Sequence, residues 1–235
     1  MIQFYAPDLR NSMCLTPEES AHCAKVLRKK SGDIIFVTDG KGFRFECEIT
    51  KADAKKVEVI ILNEVFIKKS WKGLVTIAVA PTKNADRMSW LVEKATELGV
   101  DKIIFISCRN SERKNVNIER LRKNAISAMN QSLKTFLPEL EGITKLDQIL
   151  DIPGYKFFGY CLPNSERSIF AKDYLPSSDV VVAIGPEGDF SEDEVKILIQ
   201  CGYKPVTFGD ERLRTETAAL YAIASIHVVD SLVVN

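Results

Sequence analysis

The sequence predicts an α/β fold in two parts, a small β-rich region followed by a longer region built on a mostly parallel sheet. Two observations predict this arrangement. Runs rich in β-branched and aromatic residues, separated by turn residues, dominate the first part of the chain. From Leu74 onward, apolar strand-like runs alternate with segments of helical periodicity, which is the pattern of a parallel sheet flanked by helices.

The first predicted element with a clear start signal is a short helix. Thr16 suits the N-cap, Pro17 suits the first helical position, and Glu19 completes a capping box. The helix is expected to run to about Lys30 and to end at the Ser31-Gly32 pair.

Strands follow this helix. The run IIFVTDGKGFRFECEI holds two β-rich segments around Asp39–Gly42, which predicts a hairpin, and another β-rich run lies at 57–65. Several strands with little helix favour a small barrel. The polar residues at 68–73 predict a linker, so the region boundary is expected near residue 70.

The second region continues with regularly alternating elements. They are strands at 74–80 and 102–107, helices at 84–98 and from 118, strands at 155–162 and 179–185, a helix from Ser191 to Gly202, a strand at 205–209 and a helix at 215–233. Continuous apolar runs such as 179–185 are expected of parallel strands covered on both faces. The last helix is apolar almost all round, so we expect it to be buried on most sides, with a second subunit as one source of cover.

Composition sets the class of protein. Of 235 residues, 46% are apolar, which is too many for a disordered chain, and 12 glycines and 9 prolines show no repeat. No apolar run approaches the roughly 20 residues of a membrane span, and the first residues lack a secretory pattern. Six scattered cysteines without C-x-x-C spacing predict reduced thiols, so we expect a cytoplasmic protein of one or two domains.

Charge is balanced overall but uneven along the chain. The 32 basic residues match 32 acidic ones, yet residues 102–123 carry seven basic residues against two acidic ones. This bias favours a local surface for nucleic acid, although a solvated helix face explains it equally well.

Two loops near the carboxyl end carry the most information about chemistry. Both follow predicted strands, and open α/β sheets bind ligands at the carboxyl ends of their strands. In the first, 184–190, two glycines and a proline fix a tight turn that holds the Glu187 carboxylate, although an ordinary strand-to-helix turn has the same composition. The second, 208–217, leads into the apolar terminal helix.

Arginines mark this second loop. Helix capping accounts for Thr215 and Glu216, but it does not explain Arg212 and Arg214 at the entrance of a buried helix. Such cations need a partner, either Glu187 or an anionic or polar substrate.

Several common chemistries lack their motifs. The sequence contains no G-x-G-x-x-G after a strand, no P-loop and no G-x-S-x-G elbow. Its two histidines, His22 and His227, cannot form a histidine-rich metal site, so no metal is expected.

Six motifs form an ordered series through most of the chain: HCAKVLRKKSGDIIFVTDGKGFRFECEI, KNADRMSWLVEKATELGV, NSERK, AMNQSLKTFLPEL, IGPEGDFSEDEV and RLRTETAAL. Together they resemble the ribosomal RNA small-subunit methyltransferase E family, which comprises 16S rRNA uridine-N3 methyltransferases of the SPOUT superfamily. The last two motifs resemble the family's carboxyl-terminal signature, and the others resemble its earlier segments. Asp189 departs from the pattern, since many members have a second glycine there, whereas 214–217 is intact.

The resemblance implies a PUA-like β-barrel domain that binds RNA over 1–69, then a SPOUT α/β domain over 70–235 with a carboxyl-terminal trefoil knot. It also implies S-adenosylmethionine as cofactor, a homodimer, the small ribosomal subunit as partner, and no membrane. By motif position, the cofactor is expected to lie against Leu162, Ile184, Gly185, Pro186, Glu187, Gly188, Phe208, Gly209, Leu213, Arg214 and Thr217.

For the implied reaction, the target uridine must be unpaired or flipped out so that its N3 can be reached. We expect Arg214 to stabilise the charge that develops on the uracil oxygens, with Glu187 or Glu216 orienting the base or receiving the proton. RNA contacts are expected from Arg10, His22, Lys25, Arg28, Arg87, Arg109, Arg113 and Lys114, with a solvated surface as the alternative.

Two other functions remain open from the sequence. One is a SPOUT methyltransferase that acts on a different RNA. The other is a non-catalytic factor that binds RNA or assists ribosome assembly, and intact Glu187 and Arg214 argue against it.

Overall fold

The structure, a computed structural model, describes residues 2–161 and 167–233. These residues form two compact units. The amino-terminal unit comprises the described residues of Met1–Ser70 with Ile126–Leu137, and the α/β unit comprises those of Trp71–Ala125 with Pro138–Asn235. Residues 126–137 thus group with the amino-terminal unit, and the division at residue 70 as a domain boundary stays a prediction.

The elements are numbered in chain order. The strands are β1 (Gln3–Tyr5), β2 (Ile34–Thr38), β3 (Phe43–Lys51), β4 (Glu58–Phe66), β5 (Val75–Val79), β6 (Lys102–Ser107), β7 (Glu139–Lys145), β8 (Tyr155–Gly159), β9 (Ser168–Ile169), β10 (Val180–Ile184) and β11 (Lys204–Thr207). The α-helices are α1 (Leu9–Ser12), α2 (Pro17–Ala21), α3 (Ala85–Leu98), α4 (Ile118–Gln131), α5 (Phe170–Asp173), α6 (Glu192–Gln200) and α7 (Thr215–Val233). A π-helical turn (His22–Val26) follows α2, and a 3₁₀ turn (Leu146–Ile149) follows β7.

The amino-terminal unit contains a small mixed sheet with the order β1-β2-β3-β4, in which β1 runs parallel to β2 and the other pairs are antiparallel. The predicted hairpin is confirmed: Asp39 Oδ1 accepts hydrogen bonds from the backbone N–H of Lys41 (2.7 Å) and Phe43 (3.1 Å). The sheet covers a core that includes the fully buried side chains of Phe4, Leu9, Ile35 and Phe45.

The first helix is shorter than the sequence suggests. Thr16 caps it as expected, since its Oγ1 accepts from the Glu19 N–H (3.3 Å). The helix was expected to reach Lys30, but the π-helical turn ends at Val26 and Arg28 adopts a left-handed conformation (φ 52°). A residue in the left-handed conformation ends a helix, so Arg28 ends this one, before the Ser31-Gly32 pair at which the sequence predicts its end.

The α/β unit contains a seven-stranded sheet in the order β7-β6-β5-β10-β8-β11-β9, and every pairing in it is parallel. The predicted parallel sheet is therefore confirmed, with β7 and the two-residue β9 as strands that the sequence pattern did not indicate. Gly99 (φ 113°) ends α3, and Ser191 with Glu194 forms the capping box of α6, both as predicted.

The strand order positions the candidate site. β10 lies between β5 and β8, and β11 lies on the other side of β8. Because all these strands are parallel, the loops after β8, β10 and β11 leave the sheet at the same edge, where α/β sheets bind ligands.

Helix α7 packs against α3, α5, β5 and β10, and its residues Ala219, Ile223 and Ile226 are fully buried. Its length and composition alone would also suit a membrane span, a test that core helices of soluble proteins pass as well. One face of α7 is not covered within this chain, because Tyr221 and Val228 are exposed there, and cover of that face by a second subunit stays a prediction. All six cysteines are free thiols.

Candidate functional site

A cavity of about 420 Å³ opens at the edge of the sheet where β8, β10 and β11 end. Three stretches of chain form it: the end of β8, the loop after β10, and the loop between β11 and α7. Its lining residues are Gly159, Tyr160, Cys161, Arg167, Ile184, Gly185, Pro186, Glu187, Asp189, Val206, Thr207, Phe208, Gly209, Asp210, Glu211, Arg212, Leu213, Arg214, Thr215 and Ala218.

Hydrogen bonds hold the two predicted loops together. The Thr215 hydroxyl donates to the Gly185 carbonyl (3.0 Å), which fixes the start of α7 against the loop after β10. Arg212 Nη2 approaches the Glu187 carbonyl at 3.4 Å, and the Lys83 N–H donates to Glu187 Oε1 at 3.4 Å. Segments that are distant in sequence therefore form one wall of the cavity.

Two glycines keep the base of this site open. A Cβ atom at Gly159 would lie 3.0 Å from the Phe208 ring and 3.2 Å from Ile184 Cδ1. A Cβ atom at Gly185 would lie 3.2 Å from the Phe190 ring. A larger residue at either position would crowd these side chains, which would have to shift by a few tenths of an ångström.

Charges of both signs line the cavity. Arg167, Arg212 and Arg214 contribute cations, and the acidic side chains are Glu187, Asp189, Asp210 and Glu211. Burial raises the pKa of Asp189, while hydrogen bonds from two backbone N–H groups and the nearby arginines lower it. The site can therefore take a ligand that combines apolar surface with charged groups.

Of the residues predicted for the cofactor and for catalysis, the structure places most at this cavity. The ones that line it are Ile184, Gly185, Pro186, Glu187, Phe208, Gly209, Leu213 and Arg214. Leu162 lies outside the described residues. Gly188 and Thr217 are not in the lining, and a Cβ at Gly188 would instead lie 3.2 Å from Asn110 Cβ.

Glu216 does not reach the cavity. It is 4% exposed, and its Oε1 pairs with Arg87 Nε at 3.5 Å, which links α7 to α3. Its Oε2 is buried without a hydrogen-bond partner. A helix position in the first turn of α7 turns this side chain away from the loop, so the expectation of a catalytic Glu216 is not supported by its position, whereas Glu187 is exposed at the cavity.

Of the end of β8 and the residues that follow it, only Leu162 is predicted from the sequence to line the cofactor site, and the other contributors are missed. Residues 159–161 and Arg167 line the cavity, but their place depends on β8 lying next to both β10 and β11. Strand order is not visible in a hydrophobic pattern. The signal that could have indicated this segment is Gly159, a glycine inside an apolar strand.

The predicted RNA contacts of the α/β unit have different surroundings. Arg87 pairs with Glu216, and Arg109 pairs at the surface with Asp193 (3.4 Å). Arg113 donates from Nε to the Thr82 carbonyl (3.0 Å) and from Nη2 to the Lys83 carbonyl (2.7 Å), so its guanidinium is already engaged within the chain. Lys114 is exposed.

The predicted RNA contacts of the amino-terminal unit lie at its surface. His22, Lys25 and Arg28 are exposed. Arg10 is exposed too, but its Nε pairs with Glu64 (3.1 Å) and its guanidinium lies 4.0 Å from the centre of the Phe43 ring.

Comparison with protein families gives two matches. Residues 69–227 match the RNA methyltransferase domain family, and residues 15–62 match the RNA methyltransferase PUA domain family. These matches agree with the predicted fold class, a PUA domain followed by an α/β methyltransferase domain.

Comparison with individual proteins agrees with this. The chain is 33% identical over 221 residues to ribosomal RNA small subunit methyltransferase E of Rickettsia conorii, covering 92% of this chain and 90% of the relative. A crystal structure described as a probable rRNA-methyltransferase from Porphyromonas gingivalis is 39% identical, with a TM-score of 0.94 and 99% coverage of both chains. The ribosomal RNA small subunit methyltransferase E of Neisseria gonorrhoeae, solved bound to S-adenosyl methionine, is 26% identical with a TM-score of 0.83, covering 97% of this chain and 98% of that one.

Proposed function

Because this chain belongs to the ribosomal RNA small subunit methyltransferase E family of RNA methyltransferases, we propose that it methylates N3 of a specific uridine in 16S ribosomal RNA. The methyl donor in this proposal is S-adenosylmethionine. The observation that carries the proposal is the cavity at the carboxyl ends of β8, β10 and β11. Its lining includes Arg214 and Glu187, together with Gly159 at the end of β8 and Gly185 just after β10.

The residues present fit this cofactor. A volume of about 420 Å³ lies within the range of small-molecule pockets, roughly 300–1,000 Å³. Ile184, Phe208 and Leu213 would cover the apolar parts of the cofactor, and the backbone of Gly185 and Gly209 would approach its polar groups. When bound, S-adenosylmethionine supplies a methyl group that is already activated by its sulfonium.

Arg214 is the residue best placed to act on the uridine. Loss of the N3 proton leaves negative charge on the uracil oxygens, and a nearby guanidinium stabilises such charge. Arg214 is exposed at the cavity, so its guanidinium is accessible to an incoming base. In this proposal Arg214 stabilises the developing negative charge and does not itself accept the N3 proton.

Glu187 is our candidate for orienting the base or accepting the N3 proton. Its carboxylate is exposed at the cavity and held by the Lys83 N–H, and Arg212 contacts its backbone carbonyl. In this proposal Glu216 takes no direct part, because it lies outside the cavity lining and is buried against Arg87.

The substrate side of the proposal requires an unpaired or flipped uridine, because N3 lies on the base-pairing edge. The PUA domain and exposed basic residues such as Lys25, Arg28 and Lys114 would hold the RNA through its phosphates, which position it without reading sequence. We further propose that the protein works as a cytoplasmic homodimer in contact with the small ribosomal subunit.

The test is a nucleoside digest of small-subunit RNA from cells with and without this protein, analysed by mass spectrometry. Loss of 3-methyluridine from the 16S RNA alone is the expected result. Loss of a different modification, or a loss in transfer RNA, would favour the alternative of another substrate for the same fold. No change in any nucleoside would favour a non-catalytic assembly factor.

Substitution of Arg214 tests the mechanism in the purified enzyme. Arg214→Ala is expected to lower kcat by about 10²–10³-fold, because one preorganised charge-stabilising donor is lost. Arg214→Lys keeps the charge and should recover part of that loss. Thermal unfolding of both variants should match the original protein because the side chain is exposed. Near-normal turnover of Arg214→Ala would remove this residue from the catalytic role.

A further inference from the structure

The loop after β10 contains a residue in an unusual backbone conformation. Asp189 has φ 62°, in the left-handed region, and its N–H donates to the Pro186 carbonyl (2.9 Å) to close a tight turn. Aspartate enters this region more easily than most residues, because its short polar side chain can form local hydrogen bonds. The turn therefore directs the Asp189 carboxylate toward its neighbours at the cavity.

That carboxylate joins two of the three stretches that form the cavity. Asp189 Oδ2 accepts a hydrogen bond from the Cys161 N–H (2.9 Å), and Oδ1 accepts one from the Phe190 N–H (2.8 Å). Cys161 lies just beyond the end of β8, whereas Phe190 precedes α6. One side chain thus holds the end of one strand to the loop that follows its neighbour.

Further contacts fix both partners of this link. Asn110 Nδ2 donates to the carbonyls of Gly188 (3.2 Å) and Asp189 (3.1 Å), so the loop after β10 is held from its other side. Arg167 Nη1 donates to the Tyr160 carbonyl (2.8 Å), next to Cys161. The Asp189 carboxylate is the connection between these two fixed pieces.

We propose that Asp189 is a positioning residue for binding of the methyl donor, which holds the chain at the end of β8 against the loop after β10 and so sets the width of the cavity. This inference rests on the proposed function. It differs from a direct role because the carboxylate acts through the Cys161 backbone. Without the hydrogen bond from Cys161 to Asp189, the cavity wall would be free to move. The free energy needed to order that wall on binding would then reduce the affinity for the ligand.

Three variants test the proposal by calorimetric titration with S-adenosylmethionine. Asp189→Gly accepts the left-handed backbone but removes both hydrogen bonds, so the Kd is expected to rise about tenfold or more. Asp189→Asn also tolerates this backbone and keeps one oxygen for Cys161, so it should retain most of the affinity. Asp193→Asn is the matched control, since it removes the same charge from a side chain that is 71% exposed, and its Kd should be unchanged.

Two further measurements separate positioning from stability. The midpoint temperature of thermal unfolding of Asp189→Gly should stay within a few degrees of that of the original protein. The stabilisation from removing a partly buried carboxylate offsets the destabilisation from the added freedom of glycine in the unfolded chain. Amide hydrogen exchange should be faster at Cys161 in Asp189→Gly than in Asp189→Asn.

Other outcomes overturn the inference. Equal affinity of Asp189→Gly and the original protein would show that the link does not shape the site. Equal losses in Asp189→Gly and Asp189→Asn would assign the effect to the charge acting on the ligand. Failure of the original protein to bind S-adenosylmethionine would overturn the proposed function as well, and this result is distinct from the other two.

Discussion

Glu19 is a carboxylate in the core of the amino-terminal unit. It is 8% exposed, and its Oε1 accepts a hydrogen bond from Asn130 Nδ2 (2.9 Å). Glu19 Oε2 and Asn130 Oδ1 are both buried acceptors without a hydrogen-bond partner. Burial raises the pKa of Glu19 from 4.5 to about 7, with a smaller increase from Glu18 and opposing hydrogen bonds from Asn130 and the Tyr5 backbone. A proton on Oε2 would supply the donor that this pair lacks.

The raised pKa predicts a pH-dependent stability. The folded protein holds the Glu19 proton more tightly than the unfolded chain, so the stabilisation is fully present below pH 4.5 and is lost as the pH rises to about 7. Glu19→Gln carries a permanent donor and acceptor, so at pH 8 it should raise the free energy of unfolding by about 1–3 kcal/mol. Urea unfolding across this pH range measures the effect.

The control for Glu19 is Glu18→Gln, which removes a charge from the exposed neighbour. The original protein and Glu18→Gln should lose stability over this range, whereas Glu19→Gln should show a flatter dependence. The same slope in all three proteins would contradict a buried, proton-holding Glu19.

Among the elements, the loop between β6 and α4 holds two other loops of the α/β unit in place. Asn110 holds the loop after β10 through the carbonyls of Gly188 and Asp189, and Arg113 holds the loop after β5 through those of Thr82 and Lys83. Arg109, Arg113 and Lys114 of this loop are predicted RNA contacts, with a solvated surface as the alternative. In the structure, the Arg113 guanidinium donates to backbone carbonyls of the same chain, whereas the Lys114 side chain is exposed to solvent.

These surroundings predict different effects for substitution of two neighbouring basic residues, on turnover for Arg113 and on RNA binding for Lys114. Arg113→Ala should lower turnover by about tenfold or more, because it releases a loop that borders the site, while leaving the salt dependence of RNA binding unchanged. Lys114→Ala should weaken RNA binding and reduce the slope of log K against log salt by about one, as loss of one phosphate contact does. Fluorescence anisotropy in a salt series and methylation kinetics give both values. A lower salt slope for Arg113→Ala would restore its role as a phosphate contact.

At the scale of the whole molecule, helix α7 leaves an apolar stripe uncovered. Tyr221, Val228 and Leu232 are 49%, 57% and 74% exposed, and with Ser225 they follow helical spacing along one side. Ala222, Ile226 and Asp230, on the opposite side, are buried. Exposed apolar side chains that line one side of a helix favour an interaction surface, which supports the proposed homodimer.

The stripe predicts the result of a single charge substitution. Val228→Glu should shift the protein toward monomer in sedimentation velocity, because an unpaired carboxylate would be buried in the interface. Val26→Glu is the matched control, since Val26 is 69% exposed in the amino-terminal unit, and it should leave the oligomeric state unchanged. A dimer that persists in Val228→Glu, or a monomeric original protein, would remove α7 from this role.

Several elements are predictable from the sequence because their signals are local. Thr16 and Ser191 cap their helices, Gly99 ends α3, and Asp39 closes a hairpin, because each interaction spans only a few residues. The motifs at 184–190 and 208–217 also sufficed to indicate two of the loops that line the cavity.

Which residues of those loops reach the cavity, and which other residues line it, depends on how the strands and helices pack. Strand order brought Gly159–Cys161 beside both loops, and the direction of the first turn of α7 placed Glu216 against Arg87 and left Arg214 at the cavity. Local pattern cannot show this, because the packing of parallel strands and helices depends on contacts between residues far apart in the chain.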